Sequence, residues 1–116
     1  MTTNGVITIK DAKTGAILAS AKKAEGVFLF EGTWYFDEDK VNITHLVVTE
    51  ETYTCPYKGT CYWIDLKAPG HSADHIAFTY FDTRAGYEFV QGKIGFYAGL
   101  REHTLEESAV YGFANL

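Results

Sequence analysis

Nowhere in this chain do apolar residues recur at a helical period for long enough to build a sizeable helix; short extended runs follow one another instead, cut by Gly, Pro and Asp. That pattern confines the fold to the all-β class, a sandwich or open barrel of mainly antiparallel strands. Residues 6–9 and 16–19 flank Asp11 and Gly15, which suit a hairpin with a bulged turn. Residues 27–30 and 33–36 flank Glu31 and Gly32 as a tighter hairpin, with Trp34 and Tyr35 on opposite faces. A charged connector over 37–40 suits one helical turn, 41–48 is rich in β-branched residues and predicted extended, and 49–51 breaks that run. Further on, 60–66 reads as a strand, 67–72 as a turn, and 74–81 as a strand pairing with 60–66. A helical turn over 87–90 and a strand over 93–98 complete the main body. Thr104 and Glu107 have capping-box spacing, and Gly112 could end the helix they start, so one short C-terminal helix is predicted.

With 116 residues the chain suits one domain, with a core over about 6–98 and an extension over about 99–116. Apolar residues make up 47% and charged residues 22%, which fits neither disorder nor a membrane class. No apolar run approaches the roughly 20 residues of a spanning helix, and the first residues carry no secretory pattern, so a soluble cytoplasmic protein is expected. A formal charge of -5, with scattered Lys and Arg, argues against nucleic acid as a partner. The two cysteines cannot complete a thiolate zinc site, and His45, His71, His75 and His103 lack metal-ligand spacing; no metal or cofactor is implied.

The densest chemistry lies in residues 52–65, where two strand-like runs flank Pro56, Tyr57, Lys58 and Gly59. Pro56 presets its φ and Gly59 can take a positive one, so the four residues read as a hairpin loop. With that loop length Cys55 faces Thr60 and Cys61 faces Thr54, so no disulfide joins them. Lys58 with neighbouring backbone N–H groups could receive an anion. Cys55 could act as a nucleophile if a cation lowered its pKa. Asp65, Asp74 and Asp82 could flank one sheet edge, which makes Asp65 the carboxylate candidate for acid–base work. Tyr57, Gly59, Tyr62, Trp63, Trp34 and Tyr80 complete the candidate ligand-binding set, although Tyr62 and Trp63 face opposite ways on a strand, so at most one lines a given pocket.

Cys55-Pro56-Tyr57-Lys58-Gly59 followed by Tyr62-Trp63 resembles the signature of the bacterial domain-of-unknown-function family 427, which some collections file as nucleotidyltransferase-like. Tyr35-Phe36 with 39–41 resembles the family's upstream aromatic and acidic segment, and Ala77-Phe78-Thr79-Tyr80 with Ile94-Gly95-Phe96-Tyr97 resembles its downstream strands, so the likeness spans roughly Val6 to Tyr97. Asp37 stands where the family usually has Pro, Phe78 where it usually has Trp, and the tail beyond Gly99 looks particular to this chain. The resemblance implies a β-tent, two antiparallel sheets meeting at an angle as in methionine sulfoxide reductase B and the drug-binding domain of cereblon. The zinc-holding Cys pairs of many relatives of that fold are missing here. Nucleotidyl transfer finds little support in the residues, which show neither a Gly-Ser opening with an Asp-x-Asp pair nor a phosphate loop.

These observations predict a small β-domain binding a polar or anionic small molecule at the 55–59 turn. The rivals are an enzyme using Cys55 or Asp65 in the same cleft, with the nucleotidyl transfer of the family's filing as its weakest form, and an interaction module in which the tail packs on a second copy.

Overall fold

The computed structural model describes residues 4–111. Nine strands succeed one another: β1 (Asn4–Asp11), β2 (Ile17–Lys23), β3 (Gly26–Phe30), β4 (Thr33–Phe36), β5 (Leu46–Cys55), β6 (Gly59–Ala68), β7 (His71–Thr79), β8 (Ile94–Tyr97) and β9 (Thr104–Tyr111). Two 3-10 turns, Glu38–Lys40 and Glu88–Val90, interrupt them at the two helical turns expected there. The all-β class holds. Two stacked sheets do not: the described strands form one continuous sheet in the order β5-β6-β7-β8-β4-β3-β2-β1-β9. Every link is antiparallel except β2 to β3, which runs parallel through only two residue pairs, Lys22 with Gly26 and Lys23 with Val27. That short link joins the two arms of the curled sheet.

The hairpins follow the turn chemistry. Phe30 pairs with Thr33 across Glu31 and Gly32, whose φ values of 52° and 73° make the two-residue turn that matches strand twist. Local signals were overridden elsewhere. Thr104 begins a strand, not the expected helix: residues 104–111 pair with all of β1, from Asp11 with Thr104 to Asn4 with Tyr111. Here ladder bonds to a ready-made edge outweigh a capping-box preference of about 1 kcal/mol. Gly112, the expected end of that helix, lies outside the described residues. The extended run predicted from 41 starts only at Leu46, because Leu46 N–H donates to Ile43 O at 3.0 Å in a preceding turn. Conversely, residues 49–51 do not break β5. They form an irregularity between Val48 and Thr52, where Thr49 Oγ1 donates to Trp63 O at 2.9 Å.

One face of the sheet carries the main core. Ile7, Ile9 and Leu18 from one arm meet Ile64, Ala77, Ile94 and Phe96 from the other, with Trp34 and Phe36 between them. The opposite face carries a second, aromatic cluster of Tyr35, Cys61, Phe78, Tyr80 and Val90, flanked by Phe28, Phe30, Trp63 and Tyr87. Period-2 alternation sends neighbours such as Trp34 and Tyr35 into different clusters. Among the described residues no helix is long and apolar enough to cross a membrane.

Candidate functional site

Residues directly paired across a ladder share a face. Tyr53 pairs with Cys61, Trp63 with Phe78, Phe78 with Gly95, Gly95 with Tyr35, and Tyr97 with Thr33. Five strands therefore aim one row of rings and thiols at the same side of the sheet. The row closes around a cavity of about 220 Å³ lined by Glu31, Thr33, Tyr35, Tyr53, Cys55, Lys58, Cys61, Trp63, Phe78, Tyr80 and Tyr97. Phe78 is its central wall, with ring centroids 5.3 to 6.1 Å from those of Tyr97, Trp63, Tyr35 and Tyr80. Gly95 makes that position possible, since a Cβ there would lie 2.9 Å from the Phe78 ring.

Two hairpin turns meet at the cavity. Lys58, from the β5–β6 turn, donates through Nζ to Glu31 Oε1 of the β3–β4 turn at 2.7 Å and lies 5.9 Å from the centroid of the Phe30 ring. The lysine side chain is 14% exposed and the glutamate 57%. The β5–β6 turn is anchored on its outer side, where Arg84 N–H donates to Lys58 O at 2.9 Å. Gly59 is required there: its φ is +116°, and a Cβ would meet Asp82 O at 3.3 Å.

Burial by itself would lower the Lys58 pKa, but its hydrogen bond to Glu31 reverses the effect and the ammonium is held above its ordinary value. Burial would raise the Cys55 thiol, yet the amide N–H groups of Lys58 and Tyr57, joined by the Lys58 charge, hold it below its ordinary value. The Lys58 N–H lies 3.5 Å from Cys55 Sγ. Cys61 goes the other way, pushed up by burial. Burial also pushes Tyr35 up to about 12 and raises Tyr80 and Tyr97, so their hydroxyls stay neutral at physiological pH. The cavity thus joins an apolar wall to one ammonium, one exposed carboxylate, neutral phenols and one acidified thiol.

Of the residues predicted for a site, the cavity gathers Cys55, Lys58, Trp63 and Tyr80. Tyr57 stands outside it, 70% exposed. Gly59 and Tyr62 line a separate shallow groove with Phe81 and Arg84. Trp34 lies in the main core, where its Nε1–H donates to Glu106 Oε1 at 2.7 Å. Asp65 is buried away from the cavity and accepts the His75 N–H through Oδ1 at 2.9 Å. Lys67 Nζ lies 3.9 Å from Asp65 and 3.6 Å from Asp74, while Asp82 belongs to the groove beside Gly59. The three carboxylates therefore do not share one place. Cys55 pairs with Gly59, not Thr60, because the loop has three residues and not four; Cys61 thus faces Tyr53, not Thr54, and both thiols are free. Among the described residues no three His, Cys, Asp or Glu side chains gather as metal ligands.

Sequence reasoning left Glu31, Thr33, Tyr35, Tyr53, Cys61, Phe78 and Tyr97 out of the site. The signal that could have found some of them is parity: once Cys55 is set against Gly59, Tyr53, Cys61 and Trp63 must share a face.

Fold and cavity together define a small all-β protein with an aromatic-walled pocket bridged by an ion pair between two hairpin turns. Residues 7–107 match the model of a family described as a domain of unknown function, DUF427, and the chain belongs to that family. No curated protein matches it significantly in sequence.

Proposed function

We propose that the cavity binds a compact anion with an aromatic or other flat body, of the size of an aryl carboxylate. The observation that carries this reading is Lys58, a largely covered ammonium on the wall of a ring-lined cavity; its one ion-pair partner among the described residues, Glu31, is itself more than half exposed. An incoming carboxylate takes over the pairing of Lys58, so the covered ammonium is never left bare, and the released Glu31, already 57% exposed, returns to water. An engineered apolar cavity of about 150 Å³ in another protein holds benzene, so about 220 Å³ here has room for a ring with one small substituent. The tyrosine hydroxyls supply neutral hydrogen-bond partners, and Trp63 and Phe78 supply faces for the ring.

A thermal-shift panel of benzoate, nicotinate, salicylate and phenyl phosphate tests the proposal. A ligand at about 100 times its Kd stabilises the fold by about 2.7 kcal/mol, and Lys58→Met should abolish that gain while Glu31→Gln strengthens it. If no anion stabilises the protein, or if Lys58→Met binds as well as the parent, the proposal fails. A second reading, in which Cys55 attacks a bound electrophile, is favoured by its acidified thiol in the same cavity. Asp65 has no part in that reading, because its carboxylate is committed to the His75 amide outside the cavity.

A further inference from the structure

A second cavity lies elsewhere in the fold and shares no residue with the first. It measures about 130 Å³ and forms where three loops converge: the β1–β2 turn, the 42–45 turn and the β6–β7 turn. Leu18, Leu66, Ala68 and Pro69 give it apolar walls, and Asp11 and His71 stand among them. Asp11 is 3% exposed, an unusual degree of burial for a carboxylate. Its Oδ1 accepts the N–H groups of Lys13 at 2.8 Å and Thr14 at 3.3 Å, and its Oδ2 lies 2.7 Å from His71 Nε2. Burial would raise this carboxyl, but those amides and His71 outweigh it and keep it below its ordinary value.

An N···O approach of 2.7 Å needs a proton between the atoms, so Nε2 carries it. The contact falls outside hydrogen-bond geometry, so among the described residues the buried Nε2 has the Asp11 carboxylate as a close ionic neighbour and no hydrogen-bond partner. Among the described residues nothing meets the other ring nitrogen, and in a neutral imidazole that Nδ1 is an acceptor. Among the described residues, two further groups in the lining keep hydrogen-bonding capacity that no protein group uses. Asn42 Oδ1 accepts the Thr44 N–H at 3.3 Å, which leaves its NH2 group free. Thr14 Oγ1 accepts the Ala16 N–H at 3.2 Å, which leaves its O–H free to donate. A buried carboxylate orienting an imidazole with a free nitrogen, in an apolar cleft with two spare donors, exceeds what is needed to pin a turn.

We propose that this cleft is a second binding site, in which Asp11 orients His71 to accept a hydrogen bond from a compact neutral molecule bearing an N–H or O–H donor on a small branched apolar body, such as a short-chain amide or alcohol. Asn42 and Thr14 donate to the same molecule's oxygen. Its size is limited to about that of benzene, since a cavity of about 150 Å³ is filled by that ring.

The test uses the full-length protein with nitrogen-15-labelled histidine at about pH 8, well above the ordinary imidazole value of about 6.5. Isobutyramide is titrated in, and isobutyronitrile serves as the match that has the same body without a donor. The expected result is a saturable change at His71 Nδ1 with the amide, none with the nitrile, and no movement of His75 or His103. No saturable change, or an equal response to both compounds, overturns the proposal. Since the measurement is made on the unmodified protein, a folding defect cannot imitate either result.

Discussion

Replacing Gly95 with Ala measures how tightly the cavity wall is packed. The new Cβ would sit 2.9 Å from Cε2 and Cζ of Phe78 and 3.0 Å from Cγ2 of Thr33, whereas ordinary contacts begin near 3.4 Å. Something must yield by roughly half an ångström, and the Phe78 ring cannot easily do so. Its centroid is held 6.1 Å from Tyr35, 5.6 Å from Trp63, 6.1 Å from Tyr80 and 5.3 Å from Tyr97. Overpacking of a fixed wall costs about 1–3 kcal/mol. In a domain of this size each kcal/mol lowers Tm by about 4 °C, so scanning calorimetry should show a drop of about 4–12 °C. Phe78→Leu in the same background should recover part of the loss, giving a coupling of at least about 0.5 kcal/mol in a double-mutant cycle. An unchanged Tm would show that the wall is soft. Strict additivity of the two substitutions would show that Phe78 is not what the new methyl meets.

Three other outcomes are expected. Glu106→Ala removes the acceptor of the Trp34 Nε1–H, which bonds to it at 2.7 Å, and of the Gly99 N–H at 2.9 Å; it should cost about 1–3 kcal/mol and alter Trp34 emission. Stability and emission equal to the parent would mean that water replaces the carboxylate freely. Because Cys55 is acidified and Cys61 is pushed the other way, limited iodoacetamide treatment followed by peptide mass spectrometry should find Cys55 alkylated first. Modification of Cys61 before Cys55 would contradict the electrostatics of the site. Asp11 has a lowered pKa in the fold, so its contribution to stability is whole above the ordinary value of 3.8 and is lost as pH falls through the folded value. Urea midpoints followed from about pH 5 to about pH 2 should therefore fall less steeply for Asp11→Asn than for the parent. Parallel acid limbs would remove Asp11 from that role.

Local chemistry made much of this fold readable. Glu31-Gly32 marked its hairpin because Gly32 takes a positive φ freely, and Asp11 to Gly15 marked another. The strand partner of β7 followed from the turn at Pro69-Gly70, since a short antiparallel connection leaves little choice. What misled was a signal that is real but weak. Thr104 and Glu107 do have capping-box spacing, but the free edge of β1 lies about a hundred residues earlier in the chain, where no local reading could weigh it.

The candidate site was only half legible for the same reason. Lys58, Cys55 and Trp63 could be singled out because they crowd one turn. Their partners could not, because Glu31 lies 27 residues before Lys58 and Phe78 comes from the next hairpin. Tyr57 and Tyr62 drew attention by proximity in sequence, yet exposure removes one and strand parity the other.

By itself, then, the sequence determined the all-β class, most hairpins and the family signature, because each depends on φ preferences and alternation within about ten residues. Tertiary structure alone decided that the strands make one curled sheet, that Glu31 meets Lys58, and that Asp11 meets His71 across 60 residues of chain. Those contacts depend on ladder order and register, and a one-residue change of register sends every side chain of a strand to its other face.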